Sequence, residues 1–270
     1  IDDDNNGISG LEKSLDDQLK KNRDAIQLTV DKDIQFLIRE ELIKYNQIFR
    51  SNGSAAILMD VNNGEIISLV SIPDFDPNLR VNITDVNYIN RATKGVYELG
   101  SVFKTFTLAA AFHEGIIEPN TEFKDLEKRL KCGKNTISEY DEKIPSTLTA
   151  EQILIRSGNI GSVKIGQSLG IETFKEFMNN LDLINPIKFD IEEIGIPIPF
   201  NWGKCKLATT SYGHGITTTI LQLVNAYAII VNGGYKVSPT LIKKKNYDQK
   251  KKILGNDVSE KINPILRKIV

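Results

Sequence analysis

The chain has 270 residues, 40% of them hydrophobic and 26% charged, enough to bury a large core as one big domain or two small ones. A formal net charge of −1 offers no general attraction to nucleic acid, and no run approaches the roughly 18 apolar residues of a membrane-spanning helix. Two histidines and two cysteines, Cys132 and Cys205, show no ligand spacing, which excludes a recognisable metal site; the cysteines read as independent thiols in preference to a disulfide.

Residues 2–6, Asp2-Asp3-Asp4-Asn5-Asn6, open a polar lead-in, and 15–19 give a short helical fragment. Residues 26–30 alternate apolar and polar as a strand. Asp31 or Asp33 then caps a helix to about residue 49, with Ile34, Leu37, Ile38, Leu42 and Ile43 on one face. Strands over 55–61 and 65–71 are joined by Asn62-Asn63-Gly64, a hairpin signal. Elements mixed in this order predict an α+β fold, a sheet with helices packed on its faces.

Ser101-Val102-Phe103-Lys104 is the most informative stretch. A serine and a lysine three apart share a helix face, so one can act as nucleophile and the other as proton acceptor without a histidine. Gly100 lets the chain turn into the helix, where free N–H groups and the helix dipole favour a developing anion at Ser101. From 103 to 112 the helix is apolar almost all round, which predicts a buried central helix whose one early charge is Lys104. Burial disfavours the charged lysine, the property a general base needs. The plainer reading of the tetrapeptide alone is a surface serine beside a snorkelling lysine.

Ser157-Gly158-Asn159 supplies a second element. It follows Thr149-Ala150-Glu151-Gln152, a capping-box start for a short helix, and precedes a helix over 160–169 stopped by Gly170. A polar tripeptide between two helices can project a hydroxyl and an amide into a cleft; taken alone it is an ordinary glycine-containing turn.

With these two motifs the sequence resembles the class B penicillin-binding proteins, the D,D-transpeptidases of bacterial cell-wall synthesis. The likeness extends through Ser71-Ile72-Pro73-Asp74-Phe75-Asp76-Pro77-Asn78, Asn90-Arg91-Ala92-Thr93, Ser211-Tyr212-Gly213-His214-Gly215, Leu221-Gln222-Leu223, Ala226-Tyr227-Ala228 and Asn232-Gly233-Gly234. Gly7-Ile8-Ser9-Gly10-Leu11-Glu12 is similar to the junction of that family's pedestal and catalytic domains, which implies a pedestal end and linker over 1–24 and a transpeptidase domain over 25–270. The wording around Tyr97-Glu98-Leu99-Gly100 is nearest the septal, cell-division branch; the elongation-specific transpeptidase is the nearest rival. Further rivals are a serine β-lactamase, for which no second base is evident, and a noncatalytic β-lactam-sensing or division-scaffold module.

The resemblance implies a serine β-lactamase-like fold, an antiparallel sheet flanked by helices, and roles for four residues. Ser101 attacks the D-alanyl-D-alanine carbonyl, Lys104 takes its proton, Ser157 relays protons to the amines, and Asn159 binds the substrate amide. No cofactor is implied. Expected partners are peptidoglycan stem peptides, β-lactams, a membrane glycan polymerase and other division proteins, at the periplasmic face of the inner membrane. The family's third motif, Lys-Thr-Gly on a strand, does not occur in these 270 residues. The expectation is therefore a fragment missing its C-terminal strands, nearly inactive alone, in which the strand over 65–71 lacks neighbours and leaves a bare edge.

Other segments take plainer readings. Residues 181–202 form a loop-rich stretch in which Trp202 packs, and His214 makes structural hydrogen bonds ahead of a helix beginning near Thr218. Lysines 243, 244, 245, 250, 251 and 252 form a solvated basic loop around Tyr247.

Overall fold

A computed structural model describes residues 4–21, 25–76, 88–247 and 251–270. Asp2 and Asp3 of the lead-in, Pro77 and Asn78 of the resemblance, and Lys250 of the basic run lie outside the described residues.

Two short helices, α1 (Gly10–Ser14) and α2 (Asp16–Lys21), begin the chain, and α3 (Lys32–Phe49) follows. Asp31 is the cap of α3: its carboxylate accepts from the N–H groups of Asp33 and Ile34. Ile34, Ile38, Leu42 and Ile43 are half-buried as their spacing predicts, but Leu37 is 62% exposed. Gln35 is the polar residue that α3 turns toward the sheet.

That sheet is the antiparallel hairpin of β1 (Ser54–Met59) and β2 (Ile66–Ile72), with Ala56 opposite Val70 and Ile57 opposite Leu69. Every second residue of β2 is buried, from Ile66 to Ile72. Residues 26–30 are not a strand: they make one antiparallel bridge, Leu28 with Ile242, flanked by Thr29 N–H to Leu241 O and Lys243 N–H to Gln27 O, and meet β2 where the Thr29 hydroxyl donates to Ile66 O at 2.7 Å, so the alternating pattern reports a short bridge to 241–243 and not a full ladder. Nor is the outer edge of β2 bare. Asp31 N–H donates to Ile67 O at 3.0 Å and Ile66 N–H to Thr240 O at 2.9 Å. At Leu69 the Gln35 amide takes the place of a strand, donating to the carbonyl at 2.8 Å and accepting from the N–H at 2.9 Å.

A 3₁₀ turn (Gly100–Phe103) runs directly into α4 (Lys104–His113), the central helix. Lys104 to Phe112 are all buried, as a helix apolar almost all round predicts. Around α4 pack α5 (Ala150–Ile155), α6 (Asn159–Leu169), α7 (Ile171–Asn180) and α10 (Asn256–Arg267), while α8 (Lys204–Thr210) and α9 (Ile220–Val231) close the far side. Trp202 packs partly buried against this core, edge-on to Phe174, as expected. The predicted capping box of Thr149 and Gln152 begins α5, and Thr219 with Gln222 forms a second at α9.

Among the described residues three small strand pairs complete the α+β architecture: the hairpin above, β3 (Glu122–Phe123) with β6 (Leu148–Thr149), and β4 (Arg129–Cys132) with β5 (Asn135–Ser138). The β4–β5 hairpin overturns the reading of independent thiols. It lies against α8 and brings Cys132 to a Cα–Cα separation of 5.4 Å from Cys205, where the two form a disulfide. The pairing joins positions 73 residues apart, a proximity that sequence spacing does not encode.

The basic run is less free than its composition suggests. Lys243 and Tyr247 converge on Glu65, with Lys243 Nζ 2.6 Å from a Glu65 carboxylate oxygen, and Lys252 lies over the Tyr235 ring.

Candidate active site

Gly100 adopts φ +65°, the left-handed turn that glycine allows, and delivers Ser101 to the exposed start of the 3₁₀ turn. One turn later Lys104 is 2% exposed. Its ammonium does not reach Ser101; it donates to Ser157 O at 2.5 Å and lies 2.8 Å from Ser157 Oγ. Burial lowers its pKa from 10.5 to about 8, opposed by the negative charge of Glu139. At pH 7 about one lysine in ten is then neutral and able to accept a proton.

Ser157 owes its position to the way α5 ends. Gly158 N–H donates to Ile153 O at 2.8 Å and Ser157 N–H to Leu154 O at 3.0 Å, the paired bonds of a Schellman stop. The left-handed residue of that stop is Ser157, at φ +54°, and not the adjacent Gly158, at φ −67°. A serine there costs about 1–2 kcal/mol relative to its ordinary conformations. The two bonds from Lys104 hold it, and both the carbonyl and the hydroxyl of Ser157 are turned toward the amine.

Asn159 begins α6, and its position is set by the β4–β5 hairpin. Its side-chain Nδ2 donates to Ser138 O at 2.9 Å. The N-cap, Gly158, has no side chain to satisfy the first N–H groups of α6. Glu139 does so: Oε2 accepts from Asn159 N–H at 2.6 Å and Oε1 from Ile160 N–H at 2.9 Å. Sequence reasoning missed Glu139. The only signal was a capless glycine before a helix, and the partner sits 20 residues upstream.

The opposite wall comes from residues 212–214. Gly213, at φ +87°, packs so closely on Gly100 that a Cβ would fall 1.9 Å from the Gly100 carbonyl oxygen. This draws His214 to the cleft, with Nδ1 3.3 Å from Glu98 Oε2, while Gly215 N–H donates to the same oxygen at 3.1 Å. His214 lines the cleft with its side chain 66% exposed and in contact with the Glu98 carboxylate, so the purely structural hydrogen bonding expected of it is not what the structure shows. The Tyr212 ring stacks parallel to that of His214, and burial, with Glu98 nearby, pushes its pKa up.

Ser101, Lys104, Ser157 and Asn159 therefore line one cleft of about 550 Å³, walled further by Tyr140, Arg156 and Tyr212. Chemically, the cleft offers an exposed hydroxyl at a helix start, a buried amine of lowered pKa, a second hydroxyl on that amine, and an amide side chain.

Comparison with known proteins identifies the family and the fold. The penicillin binding protein transpeptidase domain model matches residues 54–270. The chain is 32% identical over 249 residues to the probable peptidoglycan D,D-transpeptidase FtsI of Caulobacter vibrioides, covering 90% of this chain and 42% of that protein. It is 27% identical over 268 residues to the probable peptidoglycan D,D-transpeptidase PenA of Neisseria flavescens, covering 97% of this chain and 66% of that protein. Penicillin binding protein 3 of Mycobacterium tuberculosis, solved in complex with aztreonam, superposes with a TM-score of 0.88 at 22% identity, over 100% of this chain and 65% of that one. The last likeness concerns the fold. The chain spans less than half the length of the Caulobacter protein.

Proposed function

The chain belongs to the penicillin-binding-protein transpeptidase family, and from that premise we propose that it carries the acyl-transfer site of a septal peptidoglycan D,D-transpeptidase. The observation that carries this reading is the placement of Ser101, Lys104, Ser157 and Asn159 on one cleft, with the Lys104 amine buried and its pKa lowered to about 8.

In the proposed cycle neutral Lys104 takes the Ser101 proton as Oγ attacks the penultimate carbonyl of a D-alanyl-D-alanine stem peptide. The tetrahedral intermediate collapses to an ester on Ser101, and the departing D-alanine amine receives a proton relayed from Lys104 through Ser157. An amine of a second stem peptide then attacks the ester, forming the crosslink and returning the proton to Ser101. The Ser157 hydroxyl, 2.8 Å from Lys104 Nζ, is placed for such a relay. Asn159 orients the stem peptide through its amide. A β-lactam, a cyclic mimic of the same carbonyl, stops at the ester. We assign residues 1–24 to the end of a pedestal and residues 25–270 to the transpeptidase domain, acting at the periplasmic face of the inner membrane with a glycan polymerase and division proteins. The septal assignment rests on the wording of the segments around Ser101 and on the identity to the Caulobacter protein.

Incubation with benzylpenicillin, followed by intact-mass measurement and peptide mapping, tests the reading. The expected result is an adduct on Ser101 that Ser101→Ala lacks. Its formation should be slow, because no Lys-Thr-Gly occurs in these 270 residues and a missing oxyanion donor costs about 10²- to 10³-fold. A folded chain that shows no Ser101-dependent adduct after hours at millimolar drug would overturn it.

A further inference from the structure

We propose that Glu139 is a positioning residue for acyl transfer: by seating the N-terminus of α6 it fixes where Ser157 and Asn159 stand relative to Lys104 and Ser101. The inference rests on the acyl-transfer reading above. Its warrant is geometric. The start of α6 has an N-cap without a side chain, and the Glu139 carboxylate takes the N–H groups of both Asn159 and Ile160, at 2.6 and 2.9 Å. The neighbouring residue, Ser138, takes the Asn159 side-chain amide through its carbonyl. The strand end 138–139 therefore grips Asn159 by backbone and by side chain at once.

The strand end is itself anchored, since β5 pairs with β4 and β4 carries Cys132 of the disulfide to α8. The Ser-x-Asn turn is thus held at Ser157 by the end of α5 and at Asn159 by a covalently tied hairpin. A fixed reference matters because a displacement of about 1 Å in a reacting constellation can cost on the order of 10²-fold.

Glu139 also acts on the amine electrostatically. The negative charge of Glu139 favours the protonated lysine and so opposes the effect of burial. One carboxylate thereby couples the placement of the relay hydroxyl to the proton affinity of the base.

The test compares wild type, Glu139→Gln and Glu139→Asp by two readouts. Acylation is followed with a fluorescent penicillin across pH, and Lys104 is titrated by NMR on protein carrying ¹³C-labelled lysine, its signal assigned by loss in Lys104→Met. Glu139→Gln keeps the size, loses the charge and turns an NH₂ group against an N–H. It should slow acylation by roughly 10- to 100-fold. Its Lys104 titration midpoint, and the rising limb of its pH profile, should move to lower pH than in wild type. Glu139→Asp keeps the charge, so its lysine midpoint should stay nearer wild type. The NMR titration needs no turnover: if wild type fails to acylate, the acyl-transfer reading fails, while a lowered midpoint in Glu139→Gln still supports the coupling. An unmoved lysine midpoint in folded Glu139→Gln overturns the proposal, as does an unchanged acylation rate in a wild type that reacts.

Discussion

Replacing Lys104 with methionine should lower the rate of Ser101 acylation by about 10²- to 10⁴-fold, the range that a positioned general base contributes, while leaving the chain folded. Wild-type acylation should rise with pH and level off above about 8, where Lys104 becomes predominantly neutral; the variant should show no such limb. The consequences for stability run the other way. The lysine has a pKa of about 8 when folded and an ordinary value of 10.5. Between those values the unfolded chain binds more protons, so the contribution of Lys104 to stability becomes more favourable as pH rises through that window. Below it the full cost of a buried ammonium is present. Methionine removes that cost but leaves the Ser157 carbonyl and hydroxyl without their partner, two effects of opposite sign. The melting temperature of Lys104→Met at pH 7 should therefore lie within about 4 °C of wild type, corresponding to roughly 1 kcal/mol in a domain of this size. A variant that acylates at the wild-type rate would remove Lys104 from the chemistry.

The second large effect concerns the disulfide. Loss of the Cys132–Cys205 bond, in a double alanine variant or by reduction, should lower the unfolding free energy by about 2–4 kcal/mol. The bond joins positions 73 residues apart, so its removal restores a long loop's freedom to the unfolded chain. Urea titration with and without reductant gives the number, and coincident curves would show that the bond contributes nothing. If the hairpin carries Glu139 as described, the reduced protein should also acylate more slowly under conditions where it remains folded.

What the sequence made legible was local. The largely apolar run after Ser101 announced α4 because burial on nearly all sides leaves a composition rich in Phe, Leu and Ala. The Thr149–Gln152 box announced the start of α5, since a cap needs only residues three apart. The four residues now found on the cleft were named through the family resemblance, which two short contiguous motifs were enough to carry. What stayed hidden depends on contacts across long separations or on a choice between neighbours. Glu139 sits in a charged, turn-like stretch where nothing marks one carboxylate above another, and its partner helix begins 20 residues later. Ser157 in the left-handed position was masked by Gly158, the residue that local preference would have chosen. Lys104 was expected against Ser101, yet the turn that ends α5 presents it with two Ser157 oxygens. Residues 26–30 misled because alternation also suits a segment that pairs through a single bridge, here with residues 241–243.

The Gln35 amide on β2 has a consequence for how this protein behaves in concentrated solution. Proteins commonly discourage strand-on-strand association with lysines, whose repulsion weakens as salt is added. At Leu69 the discouragement is steric and neutral: a helix already occupies the place a visiting strand would take, and its side chain offers no further row of donors and acceptors. Resistance to self-association along that side of the hairpin is therefore independent of ionic strength, and it lasts as long as α3 stays docked.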